Sequence, residues 1–417
     1  MADPRGFASL KAYTDSLKSA KHSDFLAKAA NKVAHEDAFE EMKAHALKLY
    51  DKTEAVHSFM DEGGAIFDCI PVEQQPALKG SPEPLLEPPD LPPFEEAHGK
   101  RVRRKEGLAG LQLGPKKKDP YGNEMQCPSG TVPIRRLTLE QLTRYQTLRD
   151  FFKKSPAGGG VPPKAFEPPG VGATHRWAHA YETVNNGGGH SFVNLWCPSI
   201  GPNQVFSLAQ HWYVAGSGAN LQTVECGWQV FPGRLNDAKA HLFTYWTADA
   251  YNTTGNYDLT SGAFVQLSPF FAPGMVLSPT STIGGSMYII ELAFWHTNAR
   301  WYLYFNGTLG INVIGYYPDK LFNGGPLTQQ AEEIDYGGET VGTTSFPPMG
   351  SGWFANAGWK YAAYQHSLGY WSPAGGAMCP ANLNPVQAWP NCYTAQVQMS
   401  GSPWYETLWF GGPGGNC

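Results

Sequence analysis

Val224-Glu225-Cys226-Gly227-Trp228-Gln229-Val230 has β-branched ends, an indole inside and a single breaker, Gly227, and reads as a strand. Side chains alternate between faces along a strand. Val224, Cys226, Trp228 and Val230 therefore form an apolar face suited to a core, while Thr223, Glu225, Gly227 and Gln229 form a polar one. Glu225 stands between a small hydroxyl and a residue with no side chain, and Gly227 leaves room for another backbone or a substrate to come close. Working outward, Glu333-Ile334-Asp335-Tyr336-Gly337-Gly338-Glu339-Thr340-Val341 has the same character, with Glu339 beside two glycines. Each carboxylate is placed to face an open groove. Local patterning does not by itself bring the two together.

Composition separates these strands from what precedes them. Only six of the 31 Lys and Arg residues lie beyond residue 170: Arg176, Arg234, Lys239, Arg300, Lys320 and Lys360. A charged front is thus followed by a neutral back rich in glycine and aromatic residues. The length of 417 residues suits about two or three domains. A net charge of −5 gives no general pull toward nucleic acid. No run of 18 apolar residues occurs, so no membrane span is expected. The start, Met1-Ala2-Asp3-Pro4-Arg5, lacks the apolar core of a signal peptide, and a secreted protein whose signal lies outside this sequence is the preferred reading. Seven cysteines leave at least one unpaired within the chain. Asn252-Thr253-Thr254 and Asn306-Gly307-Thr308 fit the glycosylation pattern, which is common by chance.

Residues 6–60 read as helices, from Phe7, Leu10, Leu17, Phe25 and Leu26 and the repeat over 38–49. Residues 63–70 read as a short strand after a turn, and 76–99 as a proline-rich extended arm. The basic runs at 100–105 and 116–118 read as solvated loops, with a processing site as one alternative and a nucleic-acid patch, weakened by the lack of interleaved aromatics, as the other. Thr138 opens a helix expected to reach about Lys154. Residues 155–172 form a Pro/Gly-rich linker, which divides the chain into 1–154 and 173–417. Beyond it come short alternating runs separated by Gly, Pro, Asn and Ser turns. The expected fold class is an all-β domain, an antiparallel β-sandwich, preceded by a mainly α-helical region with short strands. Gly-x-Ser-x-Gly, His-Glu-x-x-His and a phosphate-binding glycine loop are all missing, which weighs against serine hydrolases, zincins and P-loop enzymes. No metal or cofactor is expected.

With these residues in hand, the chain resembles the neprosin family of secreted glutamic peptidases from Gly63 to Cys417. The similar blocks include Gly64-Ala65-Ile66-Phe67-Asp68-Cys69-Ile70 and Cys127-Pro128-Ser129-Gly130-Thr131-Val132-Pro133 in front. Behind the linker they include the two strands quoted above, Phe206-Ser207-Leu208-Ala209-Gln210, Leu242-Phe243-Thr244-Tyr245-Trp246-Thr247-Ala248-Asp249 and Phe410-Gly411-Gly412-Pro413-Gly414. The resemblance implies that Glu225 and Glu339 are the catalytic pair. It also implies acid-acting cleavage after proline, a β-sandwich carrying the site on a concave face, and an activation propeptide that acts as an intramolecular inhibitor. It further implies disulfides Cys69–Cys127 and Cys392–Cys417, leaving the pairing of Cys197, Cys226 and Cys379 open. Asn256 and Ser261 replace two cysteines usual in the family, and Tyr317 and Tyr336 stand where tryptophan is usual.

Two carboxylates held close cannot both ionise easily, so they share a proton and can act as base and acid on water and an amide. Aromatic walls suit the flat proline ring. Tyr245, Trp246, Tyr317 and Tyr336, with Trp228, are the candidates for these walls, and Gln210, Gln229 and Asp335 for supporting hydrogen bonds. His211 reads as a satisfied strand residue. Expected partners are proline-containing peptides or proteins, without nucleic acid or membrane, and the chain is expected to be a monomer. A linker rich in proline would let such an enzyme cut itself. Two rival readings remain: a carbohydrate-binding or glycan-cleaving sandwich, and a non-catalytic cell-wall or interaction protein on the same fold.

Overall fold

The structure, a computed structural model, describes residues 6–79, 84–92, 111–112, 118–156, 159–160, 162, 164, 174–306, 312–401 and 404–417. Most of the 155–172 linker, the basic run at 100–105 and Gly307-Thr308 of the second glycosylation pattern lie outside the described residues.

The front region begins with three helices, Leu10–Ser19, Ser23–Leu26 and Glu36–Leu49. Ser9 starts the first by accepting the Ala12 N–H at 3.2 Å. Phe39, Met42, Ala46 and Leu49 fall on one face of the third and are buried. Helix then gives way to a three-stranded antiparallel sheet of His57–Met60, Ile66–Pro71 and Thr131–Arg135. The end of the 6–60 stretch is therefore strand rather than helix, because Phe59 stacks on Phe67 across the hairpin. Cys69 is bonded to Cys127. Buried Asp68 receives two hydrogen bonds from the Arg136 guanidinium, at 2.8 and 2.6 Å.

The single helix expected from Thr138 to Lys154 is two short ones, Leu139–Leu142 and Leu148–Phe152. Thr138 and Gln141 form a capping box on the first. A second cap causes the break. Thr147 adopts an extended conformation and its hydroxyl accepts the Asp150 N–H at 3.1 Å, which starts a new helix.

From Thr174 onward the chain is two packed sheets. The seven-stranded sheet runs Asn256–Tyr257, His241–Thr247, Gln222–Val230, Gln204–Ala215, Ala331–Gly342, Thr174–Asn186, Asn384–Val386. The path through the ten-stranded sheet runs Val265–Gln266, Asn312–Pro318, Arg300–Asn306, Tyr288–Thr297, Gly188–Asn194, Ala363–Tyr370, Glu406–Gly411, Thr394–Met399. Cys379–Pro380 pairs with Ala363–Tyr370, and Leu111–Gln112 of the front region pairs in parallel with Tyr288–Thr297. All other strand pairings among the described residues are antiparallel. This is the antiparallel sandwich implied by the alternating pattern.

Between the sheets lie Tyr213, Trp228, Phe294, Trp301, Tyr317, Tyr336 and Phe410, none more than 0 % exposed. Each such burial contributes about 2 kcal/mol. Trp228 satisfies its indole N–H on the Asn194 carbonyl at 2.9 Å. A second bond, Cys392–Cys417, holds the C-terminus.

Candidate active site

Register turns the outer face of the seven-stranded sheet into a grid. One row reads Tyr245, Glu225, Trp212, Asp335, Tyr181; the next Phe243, Gly227, Gln210, Gly337, His179; the third Gln229, Leu208, Glu339, Trp177. Glu225 and Glu339 thus occupy the first and third rows. The middle row between them holds Gln210 with a glycine on either side, so its floor is nearly bare. A Cβ on Gly227 would sit 1.9 Å from the Ala209 carbonyl oxygen, and one on Gly337 2.4 Å from that of Ala178. The backbone that Gly227 admits is therefore its neighbour strand, not a substrate. The two carboxylates lean over this floor.

Lys154 fills the space between them. Its Nζ lies 2.6 Å from Glu225 Oε2 and 2.8 Å from Glu339 Oε2, and all three side chains are fully buried. The ammonium also lies over the faces of Trp212 and Tyr251, at 5.4 and 5.8 Å. The backbone around it is anchored to the same sheet. Tyr257 donates its hydroxyl to the Lys154 carbonyl at 2.8 Å, and Tyr245 to that of Phe152 at 3.2 Å. Arg234 donates to the Phe151 carbonyl at 2.6 Å. Farther along, Lys164 pairs with Glu333 and covers the Tyr181 ring.

Each carboxylate has its own supports. Tyr251 and Thr223 donate hydroxyls to Glu225 Oε1 at 2.7 and 3.1 Å. Gln210 donates its amide to Glu339 Oε2 at 3.0 Å, and His175 Nδ1 is hydrogen-bonded to Glu339 Oε1. Ser155 Oγ is 3.0 Å from the other ring nitrogen of His175. Burial works against a charge on Lys154, but the attraction of Glu225 and Glu339 outweighs it and raises its pKa. Burial works against a charge on Glu339 too; Lys154 and His175 overcome it and hold that carboxyl below its ordinary value. Burial pushes the Tyr251 hydroxyl well up, reinforced by the Glu225 charge, so it remains a donor.

The face also carries an apolar cluster that includes Trp177, Trp212, Tyr245, Tyr251, Tyr257 and Trp389. Of the residues read as substrate contacts, Gln210, Gln229, Tyr245 and Asp335 lie on this face. Asp335 is buried, which raises its pKa to about 6 against the opposing pull of His179, whose Nδ1 is 2.8 Å away. Both amide atoms of Gln229 are buried without a hydrogen-bond partner among the described residues. The other four are corrected. Trp228, Trp246, Tyr317 and Tyr336 point into the inter-sheet core, where Trp246 packs on Tyr317 and Tyr336 donates to the Gly369 carbonyl at 2.7 Å. Trp228, Trp246 and Tyr336 each sit one position out of phase with the site face, and Tyr317 belongs to the opposite, ten-stranded sheet. His211 is buried between Ser191 and Tyr213, at 2.6 and 3.0 Å, and burial pushes its pKa well down. Among the described residues no group of three His, Cys, Asp or Glu is placed to hold a metal ion.

The sequence reading placed none of Lys154, His175, Tyr251 and Tyr257 at the site. His175 is the one that strand phase would have found, since it alternates with Trp177 and His179 on the face opposite to Ala178 and Ala180.

Residues 203–413, just over half of the chain, match the family described as Neprosin. Among solved structures the chain is similar to scytalido-glutamic peptidase with a peptide-based transition-state analog, at 9% identity and a TM-score of 0.34, over 58% of this chain and 99% of that one. It is also similar to SCP-B, a member of the eqolisin family of peptidases in complex with the tripeptide Ala-Ile-His, at 9% identity and a TM-score of 0.29, over 58% and 99%. At these scores neither likeness carries weight beside the register and distances above.

Proposed function

The chain belongs to the neprosin family of glutamic peptidases, and from that premise we propose that it is a secreted, acid-acting endopeptidase made as a self-activating zymogen that cleaves after proline. The observation that carries this reading is the Lys154 ammonium lodged between Glu225 and Glu339. The cation occupies the space where a shared proton and a water would sit, and it helps hold Glu339 below its ordinary value, so that carboxyl has no proton to give. The described front residues therefore hold the pair in an inert state. Residues 1–154 are the propeptide in this reading, 155–172 the segment that is cut, and 173–417 the enzyme.

Once Lys154 withdraws, two negative charges face each other in a site walled by indole and phenol rings. One must take a proton. A water molecule entering the vacated space would meet one ionised and one protonated carboxyl. The ionised group takes a proton from water, the oxygen attacks the amide carbon, and the protonated group donates to the departing nitrogen. Tyr251 and Thr223 fix the angle of Glu225, and Gln210 and His175 that of Glu339. The unpartnered amide of Gln229 is offered to a substrate backbone, and Tyr245, Trp177 and Trp212 to the pyrrolidine ring. Two disulfides support export to an oxidising compartment.

The test is digestion of a proline-rich protein over a pH series, with the product ends mapped and the new N-terminus of the chain sequenced. Expected are cleavage after proline at acid pH and a processing site within 155–172. Glu225→Gln and Glu339→Gln should each abolish both events. An active Gln variant removes that residue from the mechanism, and cleavage with no preference for proline removes the specificity.

A further inference from the structure

Pro84-Leu85-Leu86-Glu87-Pro88-Pro89-Asp90-Leu91-Pro92 has four prolines in nine residues and forms neither helix nor strand. It lies against the outer face of the ten-stranded sheet, on the far side of the sandwich from Glu225 and Glu339. Tyr304 donates its hydroxyl to the Pro89 carbonyl at 2.7 Å, and Arg300 donates to the Pro84 carbonyl at 3.1 Å. Leu91 packs on a ring cluster formed by Trp295, Tyr302, Tyr304, Tyr316 and Trp371. These rings are separate from the inter-sheet core, which is filled by their alternating neighbours Phe294, Trp301, Leu303 and Phe305.

A proline-rich segment has few N–H groups and many strong carbonyl acceptors, and it tends to an extended helix with no internal hydrogen bonds. The surfaces that read such segments combine aromatic walls with donors aimed at carbonyls. Both described hydrogen bonds here run from a side-chain donor to a proline carbonyl. Taking the front region as a propeptide that leaves, as proposed above, the Tyr304 hydroxyl, the Arg300 guanidinium and the part of the ring cluster under Leu91 would be bared together, and apolar patches rimmed by donors mark binding sites.

We propose that this face is a second binding site, remote from the dyad, for proline-rich polypeptide segments, and that the arm at 84–92 occupies it until maturation. In the mature enzyme it holds a long proline-rich substrate while another part of that chain enters the site at Glu225 and Glu339.

The test needs neither maturation nor catalysis. In the full chain, residues 84–92 are replaced by a Gly/Ser repeat of equal length, which bares the face at neutral pH. A labelled peptide of sequence 84–92 is titrated by fluorescence anisotropy, beside a peptide with every proline changed to Ala. The replaced chain should bind the proline peptide at least about tenfold more tightly than the intact chain, whose own arm competes at high effective concentration. It should also prefer that peptide to the Ala peptide, and Tyr304→Phe, which removes only the hydroxyl, should weaken binding about five-fold. Equal binding by the intact and replaced chains, equal binding of the two peptides, or no effect of Tyr304→Phe overturns the proposal. So does a replaced chain that pairs with its own copy and ignores the peptide. Failure of the peptidase reading would show in the digestion experiment alone and leave these titrations unchanged.

Discussion

On the reading proposed above, one methylene chain and one charge, those of Lys154, separate a stored pair of carboxylates from a working one. Substituting Met keeps the bulk and removes the cation. The unplugged pair then shares a proton, and Glu339 loses the neighbour that holds its pKa down. Lys154→Met is expected to cleave a short proline-containing peptide at acid pH without the lag that the proposed restraint predicts for the parent chain. A lag as long as the parent's would show that the ammonium is not what restrains the site. The pH sign follows from the same contact. The Glu339 pKa is lowered in the plugged state, so the plug's hold is fully present above the value the carboxyl takes when the plug is out. It is lost as pH falls through the lowered value. The protection of residues 151–156 against hydrogen exchange, taken relative to the intrinsic rate at each pH, should therefore stay constant in the Glu225→Gln, Glu339→Gln double variant, whereas in the parent it should fall below about pH 4, the ordinary carboxylate range. Parent protection that stays flat on acidification would remove the dyad as the acid trigger. Strand phase put Glu225, Gln229 and Glu339 on polar faces in the sequence, and the family resemblance, not phase, singled out the two glutamates as a pair. The same phase argues against Trp246 beside Tyr245 and Tyr336 beside Asp335, since neighbours on a strand cannot share a face. Lys154 was not legible, because no local pattern ties a helix end to strands that follow a proline-rich linker.

Among the elements, strands were easier to read than helices, for a physical reason. A strand's alternation survives in any sheet that buries one side, whereas a helix boundary depends on a single cap. Thr138 gave one boundary; Thr147 gave a second, and the helix expected to run through it stops there. That break turns residues 151–154 toward the sheet. Helix Glu36–Leu49 supports the turn from behind: His45 meets the Phe152 ring edge-on at 5.1 Å and its Nε2 is 2.8 Å from the Thr260 carbonyl oxygen. The three-stranded sheet beneath depends on the buried pair of Asp68 and Arg136, with side chains 1% and 3% exposed. Asp68→Ala leaves a guanidinium buried without its counter-charge, while Ser58 loses its 2.7 Å acceptor. The expected cost is about 3–5 kcal/mol in the stability of the front region, read from its denaturant midpoint. A loss under about 1 kcal/mol would mean that water reaches the pair.

For the whole molecule, the front region holds the sandwich on two sides at once. Lys154 reaches the outer face of one sheet and the 84–92 arm the outer face of the other, while the Gln75 amide exchanges hydrogen bonds with the Gln266 backbone at 3.0 and 2.7 Å. No one of these contacts is visible from sequence, because each joins residues far apart in the chain. What the sequence could show was that the front region carries cysteines able to stiffen it. The Cys69–Cys127 bond closes a loop with a sequence separation of 58. On the chain-entropy account a loop of that length contributes about 4 kcal/mol by restricting the unfolded front region. If Lys154 leaves its site when the front region opens, that stability sets how readily acid frees the dyad. Replacing both cysteines with Ala should therefore shorten the acid lag and move its onset to higher pH. It should leave kcat and KM of the processed enzyme unchanged, since neither cysteine lies beyond the linker. An unchanged lag would place the release step in local motion of residues 151–156, with the front sheet still folded, and a changed kcat would show that the front region remains bound after cleavage.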